Sequence, residues 1–158
     1  MSIEIVRAYL QQWARHNDII ESALSTATVA EAAAALEVIP ARIAKSISLK
    51  TACGAMLIVV AGDVKLDNKK FKDYFGYKAR MLLPEEALAF TGHAIGGVCP
   101  FGLPDGVDVY LDVSLKRFAT VFPACGSSNS AIELTLEELN EYSKNKNWID
   151  VCKSAGGC

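Results

Sequence analysis

The sequence predicts an α+β fold: a mixed or mostly antiparallel sheet with helices packed around it. Three observations carry this. Residues 41–50 alternate with the period of a strand, and the apolar run Ala55–Ala61 follows within one turn. Two helix starts carry capping boxes, at Thr28-Val29-Ala30-Glu31 and Thr135-Leu136-Glu137-Glu138. Strands and helices succeed each other without the regular βαβ rhythm of a parallel doubly wound sheet.

Taken in order, Ile3, Val6, Leu10 and Trp13 fall at helical spacing, which predicts an amphipathic helix over 3–15 with Ser2 as its N-cap. A second helix begins at Thr28, runs through four alanines at 32–35 and is stopped by Pro40. In the strand that follows, Ile43, Ile47 and Leu49 share one face, and Ser46, Ser48 and Lys50 the other. Lys45 falls on the aliphatic face. Residues 51–54 read as a hairpin turn. The run 55–61 is apolar throughout, as in a strand covered on both sides.

Asp67 caps a short helix over 67–75. Pro84 suits the first turn of another, which ends near Thr91-Gly92. Val107, Val109, Leu111 and Val113 alternate with Asp108, Tyr110 and Asp112, a half-buried strand. Another strand is expected over 118–124. Ile132, Leu134 and Leu136 point inward along a last strand, and the Thr135 box opens a helix to about Lys144. No repeat or linker interrupts residues 1–158, so one domain is expected, with 154–158 as a frayed tail.

A formal net charge of −2 argues against a dedicated, high-affinity nucleic-acid binder but not against a protein that grips only the end of an RNA. The five cysteines are widely spaced and odd in number, which disfavours a disulfide framework or a zinc site and fits a reducing, cytoplasmic setting. No apolar run is long enough to cross a bilayer, and no secretory signal is visible. Lysines and Arg80 cluster over 65–80, where a solvated helix face is the default reading.

Four groups could carry chemistry. Lys45 is a cation on an apolar face, where it either extends into a pocket or snorkels to water. The loop Gly96-Gly97-Val98-Cys99-Pro100-Phe101-Gly102 fits neither a dinucleotide fingerprint nor a phosphate loop. Its backbone amides could still hold a carbonyl or a developing oxyanion. Gly126-Ser127-Ser128-Asn129 is a polar turn directly after an apolar strand. Cys99 with His93 is a conceivable nucleophilic pair that lacks an assignable third partner.

The ordered set Lys45, Gly96-Gly97-x-x-Pro100-x-Gly102 and Gly126-Ser127-Ser128-Asn129 resembles the YbaK/EbsC family, free-standing relatives of the prolyl-tRNA synthetase editing domain. The resemblance runs from the second helix to the last. It implies a mixed, barrel-like sheet surrounded by helices, and hydrolysis of the ester of mischarged tRNA without metal or cofactor. It further implies that Lys45, Gly97 and Gly102 are catalytic. Ser46, Gly96, Val98, Cys99, Pro100, Phe101, Gly126, Ser127 and Asn129 would contact the substrate. The implied partner is the aminoacyl 3′ end of tRNA, with prolyl-tRNA synthetase or another synthetase alongside.

Ala124 stands where the cysteine-specific branch is expected to carry serine. Cysteine, alanine, serine and threonine therefore all remain open as the amino acid removed. Two alternatives stay beside this reading: a non-catalytic module that binds an aminoacyl-adenosine or nucleotide, and a thiol hydrolase using Cys99 and His93.

Overall fold

The computed structural model describes residues 2–155. The expected frayed tail lies outside them from residue 156 onward, as does Cys158. Ser154, placed in that tail by the sequence, instead pairs in a strand.

Helix α1 (Ser2–Leu10) is shorter than its periodicity predicts. The next three residues tighten into a 3-10 turn, and Ala14 takes a left-handed conformation at φ 58°. Ser2 is not a flanking cap but the first helical residue, and its hydroxyl bonds Nδ1 of His93. Strand β1 (Ile20–Glu21) is too short to show a period. Helix α2 (Val29–Leu36) carries the full capping box, with Thr28 accepting from Glu31 N and Glu31 accepting from Thr28 N. It ends at Glu37 in the left-handed region, three residues before Pro40, which opens a 3-10 turn instead.

Strands β2 (Ile43–Thr51) and β3 (Gly54–Ala61) form the expected hairpin. Their antiparallel register runs from Ala44↔Ala61 to Thr51↔Gly54, closing on a two-residue turn. From Ala55 to Ala61 no residue of β3 is more than 3% exposed. Burying each large aliphatic there contributes roughly 1.5–3 kcal/mol.

A short strand β4 (Val64–Leu66) leads into α3 (Asn68–Phe75), whose N-cap Asp67 accepts from Lys69 N and Lys70 N. Next come α4 (Pro84–Thr91), β5 (Asp108–Asp112) and β6 (Thr120–Pro123). The last elements are β7 (Ser130–Ala131), β8 (Leu134–Thr135), α5 (Leu136–Tyr142), β9 (Trp148–Ile149) and β10 (Cys152–Ser154).

Six strands form the main sheet in the order β8-β6-β2-β3-β5-β9. β2–β3 and β6–β8 are antiparallel, whereas β2–β6, β3–β5 and β5–β9 are parallel, so the sheet is mixed. It curls into a half-barrel with helices around it. Two small pairs, β1–β7 and β4–β10, tie distant segments to its flanks. The main core joins β2, β3 and β5 to α1, Phe71, Phe101 and Leu139. A smaller cluster seats Ala32 and Ala33 of α2 on Ile43 and Phe122.

Alternation misplaces one residue of β5. Asp112, expected to face out, is 1% exposed because its carboxylate accepts from Ser114 N and Val151 N, both at 2.9 Å. Its neighbour Val113 is the one turned to solvent.

Candidate active site

The main sheet has an incomplete edge. β2 is paired from Ala44 to Thr51 with β3, but on its other side β6 reaches only Ile43 and Ala44. Pairing resumes further along, where Leu82 N donates to Ser48 O at 3.1 Å and Lys50 N donates to Arg80 O at 2.8 Å. Alternate residues of a strand turn their N–H and C=O groups to the same edge. Ser46 therefore presents both backbone groups to the opening, and among the described residues neither has a partner.

A cavity of about 550 Å³ lies over this opening, within the ordinary range of small-ligand sites. β2 supplies Ile43 to Ser48 as its floor. The α2 cap supplies Thr26 to Val29 and Ala32. Lys65 and Leu66 come from β4, Met81 and Leu82 from the segment before α4, and Ile95, Gly96 and Val98 from the glycine loop. Phe122, Ala124, Ser130 and Ala131 complete the lining. Its surface is mainly apolar, with a few polar groups set into it. Two of these, Thr26 Oγ1 and Ser46 Oγ, are buried without a hydrogen-bond partner. A buried hydroxyl left unpaired costs about 1–3 kcal/mol, so a ligand that pairs with them recovers part of that cost.

Lys45 is half-buried beside Ser46, and its ammonium donates to Val64 O at 3.3 Å. This long contact to a carbonyl is its polar partner. No salt bridge neutralises its charge among the described residues. Lys65 is the one member of the basic 65–80 stretch in the lining. Lys69 and Lys70 pair with Asp73 and Asp150 at the surface.

Of the residues expected to be catalytic or to contact substrate, Lys45, Ser46, Gly96 and Val98 meet in this cavity, together with Ala124 at the expected specificity position, and the other expected site residues do not line it. The expectation that the loop amides face a ligand needs correction at Gly97, whose N–H donates to Ala94 O at 2.9 Å. Gly97 instead permits a backbone-to-backbone contact with the Gly126-Ser127 turn. Gly102, at φ +66°, packs against Ile5 of α1. Gly126 packs on the backbone of Ser2. Cys99 and Phe101 are fully buried in the core, and Pro100 between them is buried too. Ser127 bonds Asn129 and Ser130, while Asn129 donates to Ser22 O and so braces the turn against the chain beyond β1.

The Cys99–His93 pair does form, at 3.5 Å, but it is sealed in the core. Burial pushes the Cys99 thiol up to about 12 and holds the His93 imidazole below its usual value. His93 Nε2 lies 2.9 Å from Phe101 O and Nδ1 contacts the Ser2 hydroxyl. The neutral ring thus donates at Nε2 and accepts at Nδ1. Without access, a thiolate or a free base nitrogen, these two residues cannot act as a nucleophilic pair.

Thr26 and the α2 cap are the wall that sequence reasoning missed. Their polar side chains read as ordinary turn and cap residues, and only the fold brings them opposite β2.

This half-barrel, with a lysine and an open strand edge in its cleft, defines a class. Residues 24–142 match the aminoacyl-tRNA editing domain family, and the chain belongs to that family. It is 60% identical over 154 residues to the uncharacterized protein YwhH of Bacillus subtilis (strain 168), covering 97% of this chain and 98% of that one. It is 32% identical over 94 residues to a proline–tRNA ligase of Pelobacter propionicus (strain DSM 2379 / NBRC 103807 / OttBd1), a stretch of 58% of this chain and 16% of the ligase. Among solved structures it superimposes with a TM-score of 0.86 and 30% identity on a candidate trans-editing enzyme for prolyl tRNA synthetase, over 97% of this chain and 98% of that one. No described helix is long and apolar enough to cross a membrane.

Proposed function

We propose that this protein is a single editing domain that acts in trans as an aminoacyl-tRNA deacylase. Water attacks the carbonyl carbon of the ester at the tRNA 3′ end. The bond to the ribose oxygen breaks, releasing a small amino acid such as cysteine, alanine, serine or threonine and a free terminal hydroxyl. An aminoacyl ester is already activated, so positioning and charge stabilisation are sufficient for the chemistry. Neither a metal nor a cofactor enters this reading.

The observation that carries it is a half-buried lysine opening on the same cavity as an unpaired strand edge and Gly96. Lys45 is placed to orient the ester or to neutralise charge beside it. Family membership and the names of the two synthetase-linked relatives support the substrate class. They also support prolyl-tRNA synthetase, or another synthetase, as the partner and a cytoplasmic setting.

The test is a panel of tRNAs charged with different amino acids, scored for ester loss against buffer. Accelerated loss of one or a few small aminoacyl groups is expected. Binding of aminoacyl-tRNA with no ester loss assigns the domain to a non-catalytic binding role instead.

A further inference from the structure

The opening in the sheet edge centres on Ser46. Pairing with β6 ends at Ala44 and resumes at Ser48 C=O, which accepts from Leu82 N; between them Ser46 has both its N–H and its C=O unpaired among the described residues, with the Ser48 N–H also without a partner beside it. In an antiparallel sheet, a residue in this orientation exchanges two hydrogen bonds with a single residue opposite, giving its N–H to that residue's carbonyl and accepting that residue's N–H at its own. An aminoacyl ester carries one carbonyl and one nitrogen on the same Cα, the smallest ligand that answers both groups.

Resting on the deacylase reading above, we infer that the substrate's amino acid docks as a one-residue strand against Ser46. Ser46 N–H donates to the ester carbonyl oxygen, and Ser46 C=O accepts from the substrate α-amine. This is strand addition to a free sheet edge, reduced to its shortest form.

Three further features fit this placement. Lys45 and Lys65 line the same cavity, so the docked amine is favoured in its neutral, donating form. The Ser46 amide is a donor in the place Gly97 does not fill, because Gly97 N–H is committed to Ala94 O. Ser46 N–H gains most when negative charge develops on the carbonyl oxygen, as an oxyanion donor must. The unpaired Thr26 and Ser46 hydroxyls border the same space and mark it as built for a polar ligand.

Recognition here depends on the α-nitrogen as well as on the ester. tRNA charged with alanine is compared with the same tRNA carrying propionyl, which lacks the amine, and lactyl, which keeps one donor as a hydroxyl. Each enzymatic kcat/KM is divided by that ester's own hydroxide-catalysed rate. Propionyl is expected to fall at least ~30-fold below alanyl, a loss of the size seen when a site's buried polar group is left unpaired, with lactyl between them. Equal normalised values for alanyl and propionyl overturn strand docking and leave the deacylase reading standing. No turnover of any aminoacyl-tRNA overturns both. A second measurement is independent of turnover: titration of 15N-labelled protein with 3′-alanylamino-3′-deoxyadenosine, a non-hydrolysable analogue. The Ser46 amide resonance is expected to shift downfield on saturation. Saturation by the analogue with the Ser46 amide unmoved overturns the inference.

Discussion

Gly97 and Gly126 meet backbone to backbone: a Cβ on Gly97 would lie 2.7 Å from the Gly126 carbonyl carbon and 2.7 Å from Ser127 N. The glycine loop is thus fastened to the turn that follows β6, and neither side is a flexible side chain that can yield. Gly97→Ala is expected to cost about 1–3 kcal/mol, the usual range for overpacking. That corresponds to a fall in Tm of roughly 3–10 °C for a chain of this size. Thermal unfolding followed by circular dichroism checks it, and an unchanged Tm contradicts the contact.

Lys45→Ala removes the cavity's half-buried ammonium, whose polar contact is one carbonyl at 3.3 Å. Deacylation kcat/KM is expected to drop at least ~100-fold, in line with loss of an electrostatic contact to a reacting group. The fold is expected to survive, with Tm within about 2 °C of the parent. Full turnover by a folded variant removes Lys45 from the chemistry.

His93 is fully buried, and burial holds its imidazole below the usual value. The unfolded chain therefore binds a proton more readily than the folded one as pH falls below 6.5, the ordinary histidine value. The stabilisation is present above that pH and is lost as pH drops toward the lowered folded value. Between pH 7 and 5 the parent is expected to lose more stability than His93→Gln, measured by urea unfolding at each pH. Parallel curves for the two proteins contradict this.

Burial raises the Cys99 thiol to about 12 and leaves no path to solvent. At pH 8 in the native state, iodoacetamide is expected to label exposed Cys53 and to leave Cys99 unmodified, as read by peptide mass spectrometry. Rapid native labelling of Cys99 would restore the thiol mechanism.

Thr26→Val replaces an unpartnered buried hydroxyl, 7% exposed, with a methyl of similar size. Stability is expected to hold or rise, because nothing in the folded protein loses a hydrogen bond. A fall of roughly tenfold in deacylation kcat/KM, the size of one modest hydrogen bond, is expected if that hydroxyl faces substrate. A lowered Tm with unchanged kinetics would make Thr26 a purely structural residue.

The local signals in the sequence were the legible ones. Capping at Thr28, Asp67 and Thr135 and the hairpin closed by Thr51 and Gly54 depend on neighbours a few residues apart. β1, β4, β9 and β10 have two or three residues each, too few to display a period, and β4 and β10 find each other across most of the chain. The site divides in the same way. Lys45 announced itself by breaking an apolar face. The glycines of 97–102 announced close packing, which a sequence cannot tell from close approach to a ligand. The opening at Ser46 left no mark, because it arises from where β6 stops and the segment at Arg80 begins.

The cavity walls are drawn from residues 26 to 131, and its flank is clasped where Ile20–Glu21 pair with Ser130–Ala131. A nascent chain halted before residue 130 holds Lys45 but has no enclosed chamber around it. The chamber around Lys45 is thus completed in one step, when segments more than a hundred positions apart have come together, and a chain cut before residue 130 is expected to lack the proposed activity altogether.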